Sequence, residues 1–460
     1  MSDPAFTITS DDLALFTDFY ELAMLQSYFK SGYSEDAVFS LFVRRLPQQR
    51  NFLLACGLSD VLDYLERLRF SADAIAYLTS LGKFSEPFLE WLSDFRFEGD
   101  VYAVPEGTPV FANEPILEVV APISLGQVIK TLVMNQIHLQ TLLASKAARV
   151  VEAAAGRPVI DFGARRMHGF DAALRAARAF HIAGVSATSN VLAGERYGVP
   201  VTGTMAHSYI EAFDSEYQAF QEFVRCYPDT ILLVDTYDTI AGVKNVIRLA
   251  EQFGDSFKVK AIRLDSGDLE DLSKKARKLL DAAGLKSVGI VASGGLDEYA
   301  ITDLVENGAP VTGFGVGTAM GVSQDRPALD IAYKLSAYGG EGRLKLSPGK
   351  ETYPGRKQIF RIEEDGKVSH DVISRADEDQ PGRPLLSPVM KGGKRLPGVP
   401  SSIDDIKRFA SEQISTLPKS IRSIEPAVEP YAVRISEKLV RDRHQVIVKI
   451  KEDSSNGSLP

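Results

Sequence analysis

VKAIRLDSGDLEDLSKKARKLLDAAGLKSVGIVASGGLDEYAITDLVENGAPVTGFGVGT, residues 259–318, alternates three short β-rich pieces with two helical ones. VKAIRLD (259–265), GIVAS (289–293) and VTGFGVG (311–317) are apolar and rich in β-branched residues, the composition of buried strands. LSKKARKLLDAAG (272–284) and LDEYAITDLVENG (296–308) space their apolar residues as helices do and stop at glycine. Strands that alternate with helices are parallel, because a parallel neighbour needs a long crossover.

The same rhythm extends toward the N-terminus through PVIDFG (158–163), GVSAT (184–188), VPVTGT (199–204) and TILLVDT (230–236). An eighth piece lies near DIAYKLSAY (330–338). Seven or eight units in succession predict an irregular parallel α/β barrel of the TIM type over residues 123–345. Its first helix is expected over 126–156.

Residues 1–122 read as an N-terminal α+β domain. A helix is expected from Thr17 to Ser31, a strand over DAVFSLFVRR (36–45), a helix over 57–68 and small antiparallel strands over 99–122. Residues 346–460 form a C-terminal extension expected to pack on the N-terminal domain. It contains a hairpin turning at Asp365-Gly366, a Pro/Gly-rich connector over 377–402, helices over 403–415 and 434–443, and a disordered end, DSSNGSLP.

The chain has 460 residues, 45% of them apolar and 25% charged, which is ordinary for globular domains. A net charge of -9 argues against general nucleic-acid binding, since phosphates need a basic face. An anionic small molecule remains compatible, because local cations can outvote the global sign. Cys56 and Cys226 match no metal spacing and read as buried thiols of a reducing compartment. MSDPAFTITSDD lacks the basic and apolar regions of a signal peptide, and no apolar run reaches 18 residues. The cytoplasm is the expected location, with no membrane partner.

In a parallel barrel, chemistry sits where strands end. These ends carry Asp161, Phe162, Arg165 and Arg166 in DFGARR; His207 in GTMAHS; Asp235 and Asp238 in DTYDT; and Arg263, Asp265 and Asp268 in RLDSGD. Ser293, Gly294 and Gly295, then Gly317 and Thr318, precede helical runs late in the barrel. Small residues there let backbone N–H groups close around an anion, so the two turns predict a phosphate site. The arginines suit phosphate or carboxylate oxygens; Asp265 and Asp235 suit sugar hydroxyls, Mg²⁺ or a cationic sugar carbon. Lys146 and Arg149 in SKAARV face either this site or solvent.

FTDFYELAM (16–24), DFGARR (161–166), TSNVLAG (188–194), GTMAHS (203–208), RLDSGDL (263–269), ASGGLDE (292–298) and FGVGT (314–318), in this order, resemble nicotinate phosphoribosyltransferase of the type II phosphoribosyltransferases. RRLPQQRNFLLACGL (44–58) and PLLSPVMKGGKRL (384–396) look like the same family, so the likeness spans nearly the whole chain. The resemblance implies synthesis of nicotinate mononucleotide and diphosphate from nicotinate and 5-phosphoribosyl 1-diphosphate. It implies coupling to ATP hydrolysis through a phosphohistidine, with Mg²⁺, in a homodimer with shared active sites. By resemblance His207 is the phosphohistidine, and Tyr20 (from the partner subunit) and Phe162 sandwich the pyridine ring. Arg263 and Thr204 hold the nicotinate end, and Asp265 binds ribose hydroxyls. Arg165 lies near ring and phosphate, and Ser293, Gly294, Gly295, Gly317 and Thr318 bind the 5-phosphate. Asp235 joins Asp265 and His207 in the catalytic set; the metal ligands stay unassigned.

Nicotinamide phosphoribosyltransferase is the nearest alternative. It carries an aspartate where TSNVLAG has Asn190, which favours the acid substrate here. Quinolinate phosphoribosyltransferase is shorter and lacks the histidine motif. A phosphate-binding barrel isomerase or aldolase needs a Lys or Glu at a strand end, where this chain offers Asp and Arg. A non-catalytic binding protein has no need of His207, Arg263 and Asp265.

Overall fold

The computed structural model describes residues 12–347, 352–399 and 402–455. The chain divides into two compact units. One comprises Leu142–Pro327 with Arg422–Glu425; the other comprises the described residues of Met1–Thr141, Ala328–Ile421 and Pro426–Pro460.

The unit over Leu142–Pro327 is built on six parallel strands, numbered here in chain order. They are β1 (Val159–Asp161), β2 (Ala187–Thr188), β3 (Ile231–Leu233), β4 (Ala261–Leu264), β5 (Gly289–Ala292) and β6 (Gly313–Val316). The sheet order is β2-β1-β6-β5-β4-β3. Leu232, Leu233, Ile262, Leu264, Ile290, Phe314 and Val316 are almost wholly buried. Runs this continuously apolar fit strands covered on both faces. Helices Thr239–Phe253 and Leu269–Ala282 cover them with Val243, Val246, Leu249, Ala276 and Leu280.

This is half of the expected barrel. VPVTGT supplies only Val201, bridged in parallel to Thr188. Pro200 has no N–H to donate to a ladder, which limits pairing there. Among the described residues no ladder joins Val201 to β3; instead the Thr204 hydroxyl donates to the Ile231 carbonyl. The eighth piece belongs elsewhere: Ile331–Tyr338 pairs antiparallel with Asp36–Val43 in the other unit.

That unit has a seven-stranded antiparallel sheet. Its order is Glu341–Gly342, Ile331–Tyr338, Asp36–Val43, Pro115–Pro122, Asp100–Ala103, Ser387–Lys391 and Lys394–Arg395. The 377–402 segment is therefore partly strand, not a plain connector. Its proline at Pro388 sits at a register shift, where a missing N–H is tolerated. A second sheet holds the hairpin Lys357–Glu364/Lys367–Arg375, whose turn has positive φ at both Asp365 (51°) and Gly366 (72°). Both signs match the twist of a two-residue hairpin loop. The predicted helix over 126–156 is two, Ile123–Val128 and Lys130–Ala153. The expected C-terminal helix begins later, at Glu437, after a strand Ala432–Ile435. Residues 456–460 of the expected disordered end lie outside the described residues. Among the described residues no helix is long and apolar enough to cross a membrane. Cys56 is buried, whereas Cys226 is exposed at the end of helix Glu216–Cys226, against the expectation of two buried thiols.

Candidate active site

The site is assembled at the C-terminal ends of the parallel strands. Alternation along β4 puts Arg263 and Asp265 on one side and buries Leu264 on the other. The Arg263 guanidinium lies 5.8 Å from the Phe162 ring centroid, and Nη2 donates to the Met205 carbonyl at 3.4 Å. Phe162, just beyond β1, presses its ring against Gly315; a Cβ there would come within 2.5 Å of the ring. Burial lowers the Arg263 pKa from its usual value, with Arg165 adding to the effect and Asp265 and Asp235 opposing it. Arg263 Nε and Asp235 Oδ1 are buried without a hydrogen-bond partner among the described residues.

Asp265 is held from two sides. Its backbone N–H donates to Asp235 Oδ2 at 2.9 Å, and its Oδ1 accepts from the Ser293 hydroxyl at 2.6 Å. Ser266 Oγ also donates to Asp235 Oδ2, at 2.6 Å. The Asp265 carbonyl lies under Gly294, where φ is +86° and a Cβ would sit 1.8 Å from that oxygen. A glycine is required there on both counts.

His207 opens the short helix His207–Glu211. Its Nδ1 is 3.1 Å from Thr236 Oγ1 and its Nε2 is 3.8 Å from Asp265 Oδ2. The structure thus gathers His207, Asp265, Asp235 and Ser293 into one chain of contacts, with Arg263 and Phe162 beside it. Gly317 and Thr318 stand at the end of β6, where Thr318 Oγ1 accepts from Arg166 at 3.0 Å. Asp161, wholly buried, accepts from the Gly163 N–H and the Thr188 hydroxyl; burial raises its carboxyl pKa, and these two bonds only partly offset it.

Other groups have local partners. Both donors of Ser293 are engaged within the protein, the hydroxyl with Asp265 and the N–H with the Leu264 carbonyl. Asp238 and Asp268 are helix N-caps, accepting from Ala241 and Asp271 N–H groups. Asn190 is also a cap, accepting from Ala193. Arg165 and His168 are exposed. Lys146 and Arg149 do not lie on a solvated helix face. Both are buried against Glu298, with Lys146 Nζ 2.6 Å from Oε2 and Arg149 Nε 2.9 Å from Oε1. Tyr20 lies in the other unit, half exposed, with the Lys130 ammonium bonded to its hydroxyl and 4.8 Å from its ring centroid. Lys130 is also 3.2 Å from the buried Glu21 carboxylate.

Sequence reasoning passed over Thr236, Ser266 and the Arg166–Thr318 pair. Thr236 directly follows Asp235 at a strand end, and that position was its available signal. Among the described residues no group of three or more His, Cys, Asp or Glu side chains is placed to hold a metal ion.

Three family models match in order. They are the nicotinate phosphoribosyltransferase N-terminal domain over residues 15–138, the nicotinate phosphoribosyltransferase family over 158–350 and the nicotinate phosphoribosyltransferase C-terminal domain over 382–443. The nicotinate phosphoribosyltransferase pncB2 of Mycobacterium tuberculosis is 53% identical over 427 residues, covering 93% of this chain and 92% of that protein. The nicotinate phosphoribosyltransferase of Bacillus subtilis is 41% identical over 392 residues, covering 82% and 80%. The crystal structure of human nicotinic acid phosphoribosyltransferase superposes with a TM-score of 0.83 at 27% identity, covering 94% of this chain and 99% of that one. The chain belongs to the nicotinate phosphoribosyltransferase family.

Proposed function

We propose that this chain is a nicotinate phosphoribosyltransferase of NAD salvage. It joins nicotinate to 5-phosphoribosyl 1-diphosphate and releases diphosphate, coupled to ATP hydrolysis through phosphorylated His207. The observation that carries the reading is the meeting of Arg263 and Phe162 with Asp265, Asp235 and His207 at one end of one sheet.

Displacement at the anomeric carbon passes through an oxocarbenium-like state, so catalysis is chiefly positioning and electrostatics. Phe162, with Tyr20 from a partner subunit, takes the pyridine ring. Arg263 binds the nicotinate carboxylate, and Thr204 shapes that end. The nucleophile is the ring nitrogen, which needs no base. Asp265 binds the ribose hydroxyls and stabilises positive charge at the anomeric carbon, held in place by Asp235 and Ser293. Gly294, Gly295, Gly317 and Thr318 cradle the 5-phosphate, with Arg165 near it. His207 accepts the γ-phosphoryl of ATP, which adds negative charge beside the diphosphate site.

Mg²⁺ fits the donor set. Asp235 has an unpartnered buried oxygen and Asp265 a neighbouring carboxylate, and a cation of this kind takes one or two carboxylates with substrate phosphates and water. When bound it would neutralise diphosphate charge. A cytoplasmic homodimer with shared active sites completes the proposal.

The test is nicotinate mononucleotide formation from labelled nicotinate and 5-phosphoribosyl 1-diphosphate, with and without ATP, with nicotinamide as competitor. Product formation stimulated by ATP and little affected by nicotinamide supports the reading. Preference for nicotinamide, or no product with either base, refutes it. Acid-labile label from γ-³²P ATP on His207, lost in His207→Ala, supports the coupling; label on Ser208 refutes it.

A further inference from the structure

We propose that Thr236 is a positioning residue that sets the tautomer of His207, keeping the proton on Nδ1 and leaving Nε2 as the nucleophile. The inference rests on the reading of His207 as phosphoryl acceptor and names the atom and the control behind it.

A neutral imidazole has one N–H and one lone pair, and the partner of one nitrogen decides the state of the other. Thr236 Oγ1 lies 3.1 Å from Nδ1, a hydrogen-bond distance. Asp265 Oδ2, the charged group facing the other nitrogen, lies 3.8 Å from Nε2, too far for a hydrogen bond. If the Thr236 hydroxyl donated, the ring proton would sit on Nε2 and the only lone pair would be tied up at Nδ1. If Nδ1–H donates to Thr236, the lone pair of Nε2 is open. Only the second arrangement leaves a nucleophile.

The step then balances without a base. The Nε2 lone pair attacks the γ-phosphorus of the nucleoside triphosphate. The bond from phosphorus to the β,γ-bridging oxygen breaks, and the nucleoside diphosphate leaves with its electron pair. The Nδ1 proton stays on the ring, donated to Thr236, so the product is a phosphorylated imidazolium. Asp265, pinned by Ser293 at 2.6 Å, keeps a carboxylate near that positive ring. Thr236 follows β3 and Asp265 follows β4, so adjacent strands fix the two sides of one ring.

Thr236→Val removes the hydroxyl at nearly constant volume, and Thr236→Ser restores it. Single-turnover labelling with γ-³²P ATP should slow at least tenfold in the valine variant and stay within threefold of wild type in the serine variant. Mass spectrometry should place the label on Nε2. ¹⁵N-histidine NMR without ATP, assigned with His207→Ala, should show Nδ1 protonated in wild type and in Thr236→Ser, and a shift toward Nε2 protonation in Thr236→Val. Wild-type labelling rates in the valine variant, label on Nδ1, or an Nε2-protonated wild-type ring overturns the proposal while leaving His207 as acceptor. A wild-type enzyme that takes no label on His207 overturns the parent reading and this one together.

Discussion

Replacing Gly294 by alanine should damage the site far more than the same change one residue later. Gly294 has φ +86°, a region that costs an L-residue about 1–2 kcal/mol. Its added Cβ would lie 1.8 Å from the Asp265 carbonyl oxygen and 2.7 Å from the carbonyl carbon. Both are backbone atoms, so no rotamer change relieves the overlap. Ordinary van der Waals separation requires a displacement of roughly 1.5 Å. Overpacking of this kind adds about 1–3 kcal/mol, for a total of about 2–5 kcal/mol. Gly295 also has positive φ, +67°, but nothing lies within 4 Å of its added Cβ, so Gly295→Ala should cost about 1 kcal/mol. The displaced backbone is that of Asp265, which the proposed reaction needs in place, and a shift of this size costs on the order of 100-fold in rate. The assay pairs thermal unfolding with initial rates of nucleotide formation for the two variants. A Gly294→Ala enzyme with the melting temperature and kcat/KM of Gly295→Ala would refute the argument that Gly294 is there to let Asp265 approach.

Arg263→Ala should raise the KM for nicotinate about 10- to 100-fold, the loss of a charge-assisted bond of about 1.5–3 kcal/mol, with the fold retained; unchanged nicotinate kinetics would dismiss its role. Tyr20→Ala and Asp265→Ala, each inactive alone, should regain activity when subunits are exchanged, and no recovery after proven exchange would mean a site built within one chain. Glu298→Ala removes the carboxylate that buried Lys146 and Arg149 share, leaving Lys146 its second partner Asp325 at 2.8 Å, and should destabilise by about 3 kcal/mol in denaturant unfolding; a loss under about 1 kcal/mol would contradict the pairing. Burial, then the neighbouring Asp371, raises the Glu114 pKa well above its usual 4.5, despite Arg361. The folded state thus holds this proton more tightly, and the resulting stability is full below about pH 4.5 and lost as pH rises through the raised value. Glu114→Gln should flatten that alkaline decline in unfolding measured against pH, and an unchanged profile would assign the decline elsewhere.

The strands were legible where their signal was local. β4, β5 and β6 are short apolar runs set between helices that end in glycine or begin at a capping aspartate, and each lies within its quoted stretch. Ile331–Tyr338 was misassigned because its partner, Asp36–Val43, lies about three hundred residues away, and no local pattern reveals such a pairing. Ser387–Lys391 was hidden by Pro388, since proline marks loops and edge strands alike. At the site, residue type located the groups but not their bonding. Asp238, Asp265 and Asp268 follow strands in the same way, yet the first and last cap helices while Asp265 joins His207 and Ser293. Lys146 and Arg149 sit on a helix whose sequence gives no sign that Glu298 buries them. Cys226 was expected inside, but it ends its helix at the surface.

What the site has already used is as informative as what it presents. Asp235 Oδ2 is occupied by Asp265 and Ser266, Asp265 Oδ1 by Ser293, and Thr318 Oγ1 by Arg166. These bonds fix the groups before any ligand arrives, so their reorganisation is not paid during reaction. The atoms left over are Asp235 Oδ1, Asp265 Oδ2, Arg263 Nε and a nitrogen of His207. Two are carboxylate oxygens that want positive charge or hydroxyl protons, and one is a guanidinium N–H that wants an anion. A ligand that satisfies them carries an anionic group at one end and a polyhydroxyl carbon able to become cationic at the other. Nicotinate beside a phosphoribosyl group meets both demands. A phosphorylated aldolase or isomerase substrate meets only the first, and it needs a lysine or glutamate that these strand ends do not supply; Lys146 is buried against both Glu298 and Asp325, and Glu298 also holds Arg149.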